Sequence, residues 1–116
     1  MTTGAPIVVQ KSYEFSLWLV KKVERFPRAH RFTLGDRLVA RALDLHESLL
    51  HASYAQVKHE ALERCGEHLN TLRHLLRLAK DLDLIGIEPY GYAAEKLEEI
   101  GRMAGGWRKS LKEQRP

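Results

Sequence analysis

Residues 34–50, LGDRLVARALDLHESLL, decide how this chain folds. Leu34, Leu38, Val39, Ala42, Leu43, Leu45, Leu49 and Leu50 return with the period of an α-helix, and no stretch of the chain alternates with the period of a strand. Together they cover about half of the helix circumference, whereas one helix of a small bundle needs about a third of its face for the core. The surplus predicts a second partner for this helix. Just before it, Thr33-Leu34-Gly35-Asp36 has the form of a capping box. The Thr33 hydroxyl is expected to accept a free N–H of the first turn, with the Asp36 charge facing the positive helix end.

Working outward, residues 1–9 read as a flexible leader, and a first helix is expected from about Lys11 to Phe26, ended by Pro27. Pro27–Phe32 reads as a basic loop. The second helix runs to about Ala52. Ser53 and Gln56 offer a weaker cap for a third helix reaching about Leu84. Gly86 and Pro89 break the chain, a fourth helix covers about Tyr90 to Leu111, and residues 112–116 read as a frayed tail. Four helices with short connections predict an all-α fold, an antiparallel up-down four-helix bundle in one domain over residues 1–116. The fourth helix is simply amphipathic, with Ala93, Leu97, Ile100, Met103, Ala104, Trp107 and Leu111 on one side. The first resembles the second in excess: Tyr13, Phe15, Leu17, Leu19, Val20, Val23 and Phe26 cover half its surface or more. Self-association through these two helices is the expectation, because large apolar patches are rarely left open on monomers. A tightly wrapped monomer that buries both helices is the alternative.

Composition narrows the class. The chain has 116 residues, 44% hydrophobic and 29% charged, with a net charge of +4. That balance permits a polyanionic partner without demanding one. A single cysteine, Cys65, excludes an internal disulfide. No apolar run approaches the ~20 residues of a membrane span, and Ile7-Val8-Val9 is too short for a signal-peptide core. A cytoplasmic protein without membrane association is expected.

Several motifs suggest chemistry and then fail on spacing. His46-Glu47 with His51 looks like a zinc-protease motif, but five residues place the imidazoles about 140° apart on a helix, out of reach of one metal. His46 falls within the apolar arc and is expected as a hydrogen-bonded core or interface residue. His59 and Glu63 have ligand spacing, yet two ligands alone do not make a site. Cys65 shares the apolar side of the third helix with Leu62, Leu69, Leu72 and Leu76, and reads as a buried thiol. Gly101, Gly105 and Gly106 lack the preceding strand of a phosphate loop and are expected to let a neighbouring helix come close. No catalytic residue, cofactor or metal is assigned.

The basic faces remain. On the third helix Arg73, Arg77 and Lys80 project together beside Asn70, while Glu63 and Glu67 occupy the earlier turns. The helix dipole alone accounts for acids early and bases late. On the first helix Lys21, Lys22 and Arg25 share a polar face with Trp18, and Arg28 and Arg31 continue the charge. Residues 10–31 hold six Lys/Arg against two Glu, the whole excess charge of the chain. Such a strip suits single-stranded nucleic acid, whose phosphates pair with the cations while a base stacks on the ring. Equally, Trp18 could pack against a partner subunit and the cations form a solvated rim.

Tyr13-Glu14-Phe15-Ser16-Leu17-Trp18-Leu19, Phe26-Pro27-Arg28 and Leu34-Gly35-Asp36-Arg37 resemble the accessory variability determinant (Avd) proteins of diversity-generating retroelements. So do Leu75-Leu76-Arg77-Leu78-Ala79-Lys80-Asp81-Leu82, Glu99-Ile100-Gly101-Arg102-Met103 and Gly105-Gly106-Trp107. The wider family includes the four-helix proteins encoded in ribosomal-RNA intervening sequences. The resemblance implies a four-helix bundle that assembles into a basic homopentameric barrel. It also implies partners: a reverse transcriptase and its template RNA, from which mutagenic cDNA is made, with no active site in the bundle itself. By position it assigns nucleic-acid binding to Arg73, Arg77, Lys80 and Arg37. Lys21, Lys22, Arg25 and Trp18 join that set on the helical wheel. The competing reading, an oligomeric structural protein of the intervening-sequence type, binds only protein.

Overall fold

The computed structural model describes the backbone of residues 4–113 and the side chains of residues 7–112. Five helices follow one another: α1 (Gly4–Val23), α2 (Arg28–Arg31), α3 (Leu34–Tyr54), α4 (His59–Asp81) and α5 (Ile87–Glu113). No strand occurs among the described residues. The four long helices are those expected from periodicity, and the differences lie at their ends.

α1 begins well before Lys11, so residues 4–9 are helical, not a flexible leader. Val8 explains the extension, since it is fully buried and carries the apolar face of α1 one turn further. Residue 112 likewise belongs to α5. Residues 1–3 of the expected leader and 114–116 of the expected tail lie outside the described residues. α1 closes at Val23 with tight i→i−3 bonds, Arg25 N to Lys22 O at 3.1 Å and Phe26 N to Val23 O at 2.9 Å. Pro27 then takes φ −55° and ψ 148°, and the segment read as a loop contains the single turn α2. The N–H groups of His30 and Arg31 both donate to the Pro27 carbonyl, at 2.9 and 3.0 Å, and make that turn.

The capping box is not formed. Thr33 donates its hydroxyl to the His30 carbonyl (3.3 Å), which its own N–H also reaches at 3.4 Å, and makes no side-chain cap on α3. Ser53 donates back to Leu50 O (2.6 Å), so it does not cap α4 either. Lys58 organises that connection instead: its Nζ donates to the carbonyls of Ala52 and Ala55, both at 2.7 Å, and satisfies the C-terminal end of α3. The break after α4 is made by Asp83, not Gly86. Asp83 takes φ 61°, and Leu84 N returns to Ala79 O at 2.9 Å, the closing bond of a left-handed helix end. Pro89 sits in the first turn of α5, where its missing N–H removes no helical bond.

α1 packs on α3 and α5, and α4 packs on the same two, so the four long helices enclose one core. Leu19, Leu38, Leu45, Leu49, Leu72, Leu76, Leu97 and Ile100 are fully buried in it. Ala93, Ala104 and Trp107 complete the expected face of α5. The result is a rod of 52 × 22 × 20 Å. Between α1 and α3, Ser12 meets His46 and Ser16 meets Ala42. Between α3 and α4, Arg41 meets His68 and Ser48 meets Cys65. Between α4 and α5, Glu63 meets Arg108 and Arg73 lies beside Gly101. Between α1 and α5, Lys11 meets Glu99 and Trp18 meets Tyr92. In every seam the residue numbers of one helix rise as those of the other fall.

Of the three α5 glycines expected at a close helix approach, only Gly101 faces a neighbour. A Cβ there would lie 3.6 Å from Leu69 and 3.2 Å from the Arg73 guanidinium. Gly105 and Gly106 have nothing within 4 Å. The tight position is Gly35, whose Cβ would come within 2.7 Å of a Val23 methyl. Gly35→Ala is therefore expected to lower stability by roughly 1 kcal/mol, overpacking outweighing the gain in helix propensity. Gly105→Ala and Gly106→Ala should each raise it by about 0.5–1 kcal/mol. Urea unfolding midpoints check both signs.

Candidate nucleic-acid interface

The side chains assigned to nucleic acid come from the C-terminal half of α1, the start of α3 and the C-terminal half of α4. The seam contacts bring these segments to one end of the rod, around the N-terminal turns of α5. They do not form one patch. Trp18 and Lys22 sit on the α1–α5 seam. The Trp18 ring is half-buried, 4.9 Å from Tyr92 and 5.9 Å from Phe15 between centroids, and Lys22 Nζ lies 5.6 Å from its centre. Trp18 thus packs within its own chain and offers only part of its ring to a base. Lys21 near the end of α1 and Arg25 in the turn after it are exposed.

On the other flank of α5, Lys80 reaches over Tyr90 with its Nζ 4.9 Å from the ring centre. Its ammonium is also 3.6 Å from Asp81, and the Arg77 guanidinium lies 3.9 Å from the same carboxylate. Both pairs are largely solvated, so they hold the cations weakly and leave them able to exchange partners. Arg73 lies a few turns further along the same seam, exposed beside Gly101. Arg37 is separated from this group. It lines a broad cleft of about 670 Å³ between α3 and α4 with Phe32, Leu34, Leu75 and Leu78.

The aromatic partners on α5 were missed by sequence reasoning. Tyr90 carries Lys80, and Tyr92 carries Trp18 and also Lys96, whose Nζ is 5.4 Å from its ring. Their signal was the pair Tyr90-Gly91-Tyr92 at a helix start. Two tyrosines two residues apart point to opposite flanks, which has meaning only once α5 is known to lie between α1 and α4. Arg31, expected to extend the basic strip, instead donates to the Phe26 carbonyl through Nε (3.4 Å) and Nη2 (3.3 Å) and steadies the α1–α2 turn. What this part of the rod offers is a set of cations, of which Lys22, Lys80 and Lys96 lie over aromatic rings flanking α5, an arrangement suited to phosphates and exposed bases.

The remaining polar groups serve packing. His46 Nδ1 is 2.8 Å from Ser12 Oγ, the hydrogen-bonded histidine expected in the α1–α3 seam. Cys65 is buried, and burial pushes its thiol from 9.0 up to about 12 against a smaller opposing effect of the Ser48 hydrogen bond. No group of three metal-binding side chains occurs among the described residues. No helix among the described residues is long and apolar enough to cross a membrane.

These features define a helical bundle with cation-bearing seams at one end. A family profile described as bAvd-like matches residues 6–111, and the chain belongs to that family. The resemblance to Avd proteins read from its motifs agrees with this match. No curated protein and no solved structure matched the chain.

Two titrations follow from the packing. The raised Cys65 thiol stabilises the fold fully below its unfolded value of 9.0, and that contribution is lost as pH rises towards about 12. Cys65 should therefore resist a disulfide reagent at about pH 8 until the protein is unfolded, and stability measured in denaturant should fall between those two pH values. His68 is shifted the other way, below 6.5, by burial first; Asp44 opposes and Arg41 assists. Its neutral ring accepts from Arg41 Nη1 at 3.2 Å, so its contribution is present above 6.5 and lost as pH falls through the lowered value. NMR titration should place its midpoint below 6.5, and Arg41→Ala should move it upward.

Proposed function

We propose that this chain is a non-enzymatic accessory subunit of a diversity-generating retroelement. On this reading it binds the reverse transcriptase together with template RNA or its cDNA and supports mutagenic reverse transcription. The family match over residues 6–111 carries the proposal. It is supported by the gathering of Lys22, Arg73, Arg77 and Lys80 along the two seams that flank α5. Lys21, Arg25, Arg37 and Trp18 complete the proposed surface. The fold on this account is an antiparallel up-down four-helix bundle in a single domain. Its support is the opposed numbering across all four seams.

Work in the cytoplasm as a homopentamer is part of the same proposal. Repeating a modest charge around a ring turns a few phosphate contacts per subunit into many acting together. Catalysis rests with the polymerase, and the bundle positions its substrate. The alternative, an oligomeric four-helix structural protein that binds only protein, draws support from one observation: Arg77 and Lys80 already share Asp81 within the chain.

RNA binding followed by fluorescence anisotropy across a salt series separates the two readings. Affinity should fall steeply with salt. Arg73→Ala/Arg77→Ala should weaken binding about tenfold or more and reduce the log–log slope by roughly 1.4 per subunit engaged, about 0.7 per lost single-strand phosphate contact. A flat salt dependence, or a double variant that binds as tightly as the parent, would remove RNA from the account.

A further inference from the structure

The opposite end of the rod carries a second basic feature. Between the start of α4 and the last turns of α5 lies a cavity of about 240 Å³ lined by Gln56, Val57, Lys58, His59, Arg108, Leu111 and Lys112. Three of these seven residues are lysine or arginine, a fourth is histidine, and none is acidic. We propose that this cavity is a binding site for a phosphate dianion, supplied either by inorganic phosphate or by the terminal phosphate of an oligonucleotide.

The local sequence builds the site from both sides. Leu111 and Lys112 follow Arg108 by three and four residues, so one face of α5 presents two cations and an apolar floor. From the other side Lys58 is held in place by its bonds to the Ala52 and Ala55 carbonyls. An ammonium has three donors, and these bonds use two. Arg108 is also incompletely used. Its Nη2 meets Glu63 at 3.4 Å, while its Nε is buried and has no hydrogen-bond partner among the described residues. A buried guanidinium N–H without an acceptor is costly, and a small shift of the side chain around a bound anion would relieve it.

Size and surroundings favour a compact anion. The volume is that of several water molecules, enough for a tetrahedral oxyanion that keeps part of its hydration. Leu111 is half-buried and makes part of the wall apolar. This site lies at the other end of the rod from Lys80 and Tyr90 and does not depend on RNA being held there.

Calorimetric titration of the full chain with inorganic phosphate tests the proposal. Saturable binding of one phosphate per chain is expected, at least tenfold weaker for Lys112→Gln and for Arg108→Gln, and substantially retained for Lys112→Arg. Lys112 is exposed, so its substitutions leave the helices intact, which circular dichroism checks; Arg102→Gln, whose charge is paired with Glu98 outside the cavity, should bind phosphate like the parent. Competition by a 5′-phosphorylated oligonucleotide, compared with its 5′-hydroxyl form, identifies the source. Stronger competition by the phosphorylated form points to a terminal phosphate, and equal competition points to free phosphate. No saturable binding at millimolar phosphate, or binding unchanged in both glutamine variants, would overturn the assignment.

Discussion

The close seam between α1 and α3 is the contact on which the rest of this bundle depends. It is built from small residues: Ser12, Ser16 and Ala42 are buried there. Each hydroxyl is satisfied locally. Ser16 donates to the Ser12 carbonyl at 2.8 Å, and Ser12 reaches Val9 O at 2.9 Å and His46 Nδ1 at 2.8 Å. Small side chains let two helices approach closely, and the completed hydrogen bonds keep their burial from being costly. The larger residues on the same helices are displaced to either side. Phe15, Leu19, Leu38 and Leu45 fill the core on one side. On the other side Tyr13 (52% exposed), Leu17 (47%), Leu43 (41%) and Leu50 (41%) stand in solvent, with Val9, Val20 and Val39 half-buried among them. The apolar surplus in the sequence is thus an outward strip along the α1–α3 pair, and the proposed assembly uses it as the face for a second copy.

Charge is distributed along the rod in keeping with a building block of this kind. Cations backed by tyrosines gather where α1 and α4 end and α5 begins, and a second basic cluster lines the cavity where α4 begins and α5 ends. Between them the Lys11–Glu99 pair holds opposite charges together. The net charge of +4 describes this distribution poorly, because cations cluster towards both ends of the rod even though Asp81 and Glu63 pair with some of them.

The helices were legible in the sequence because their signal is periodic burial, which needs no knowledge of the partner. Leu38, Leu45, Leu49, Leu72, Leu76, Leu97 and Ile100 were all readable as core in this way. The helix ends were not. Thr33 had the composition of a cap, but the His30 carbonyl at the end of α2 takes its hydroxyl. Lys58 had no local signal at all, since its acceptors on Ala52 and Ala55 become reachable only when the turn closes. The candidate surface was half legible. Lys22, Arg73, Arg77 and Lys80 could be grouped by their wheels, whereas Tyr90 and Tyr92 acquire their roles only from the neighbours of α5. Arg37 shared the sequence motif but is placed on a different side of α4.

The mass of the chain in solution, measured by light scattering at low and high salt, tests the central claim most directly, namely that the outward α1–α3 strip makes this bundle a subunit. The account predicts a defined multiple of 13.3 kDa, five by family resemblance, that survives high salt because apolar contact holds it. Leu17→Glu/Leu43→Glu should return it to the mass of one chain while leaving its helicity intact. A parent protein that runs at 13.3 kDa under both conditions would contradict the account.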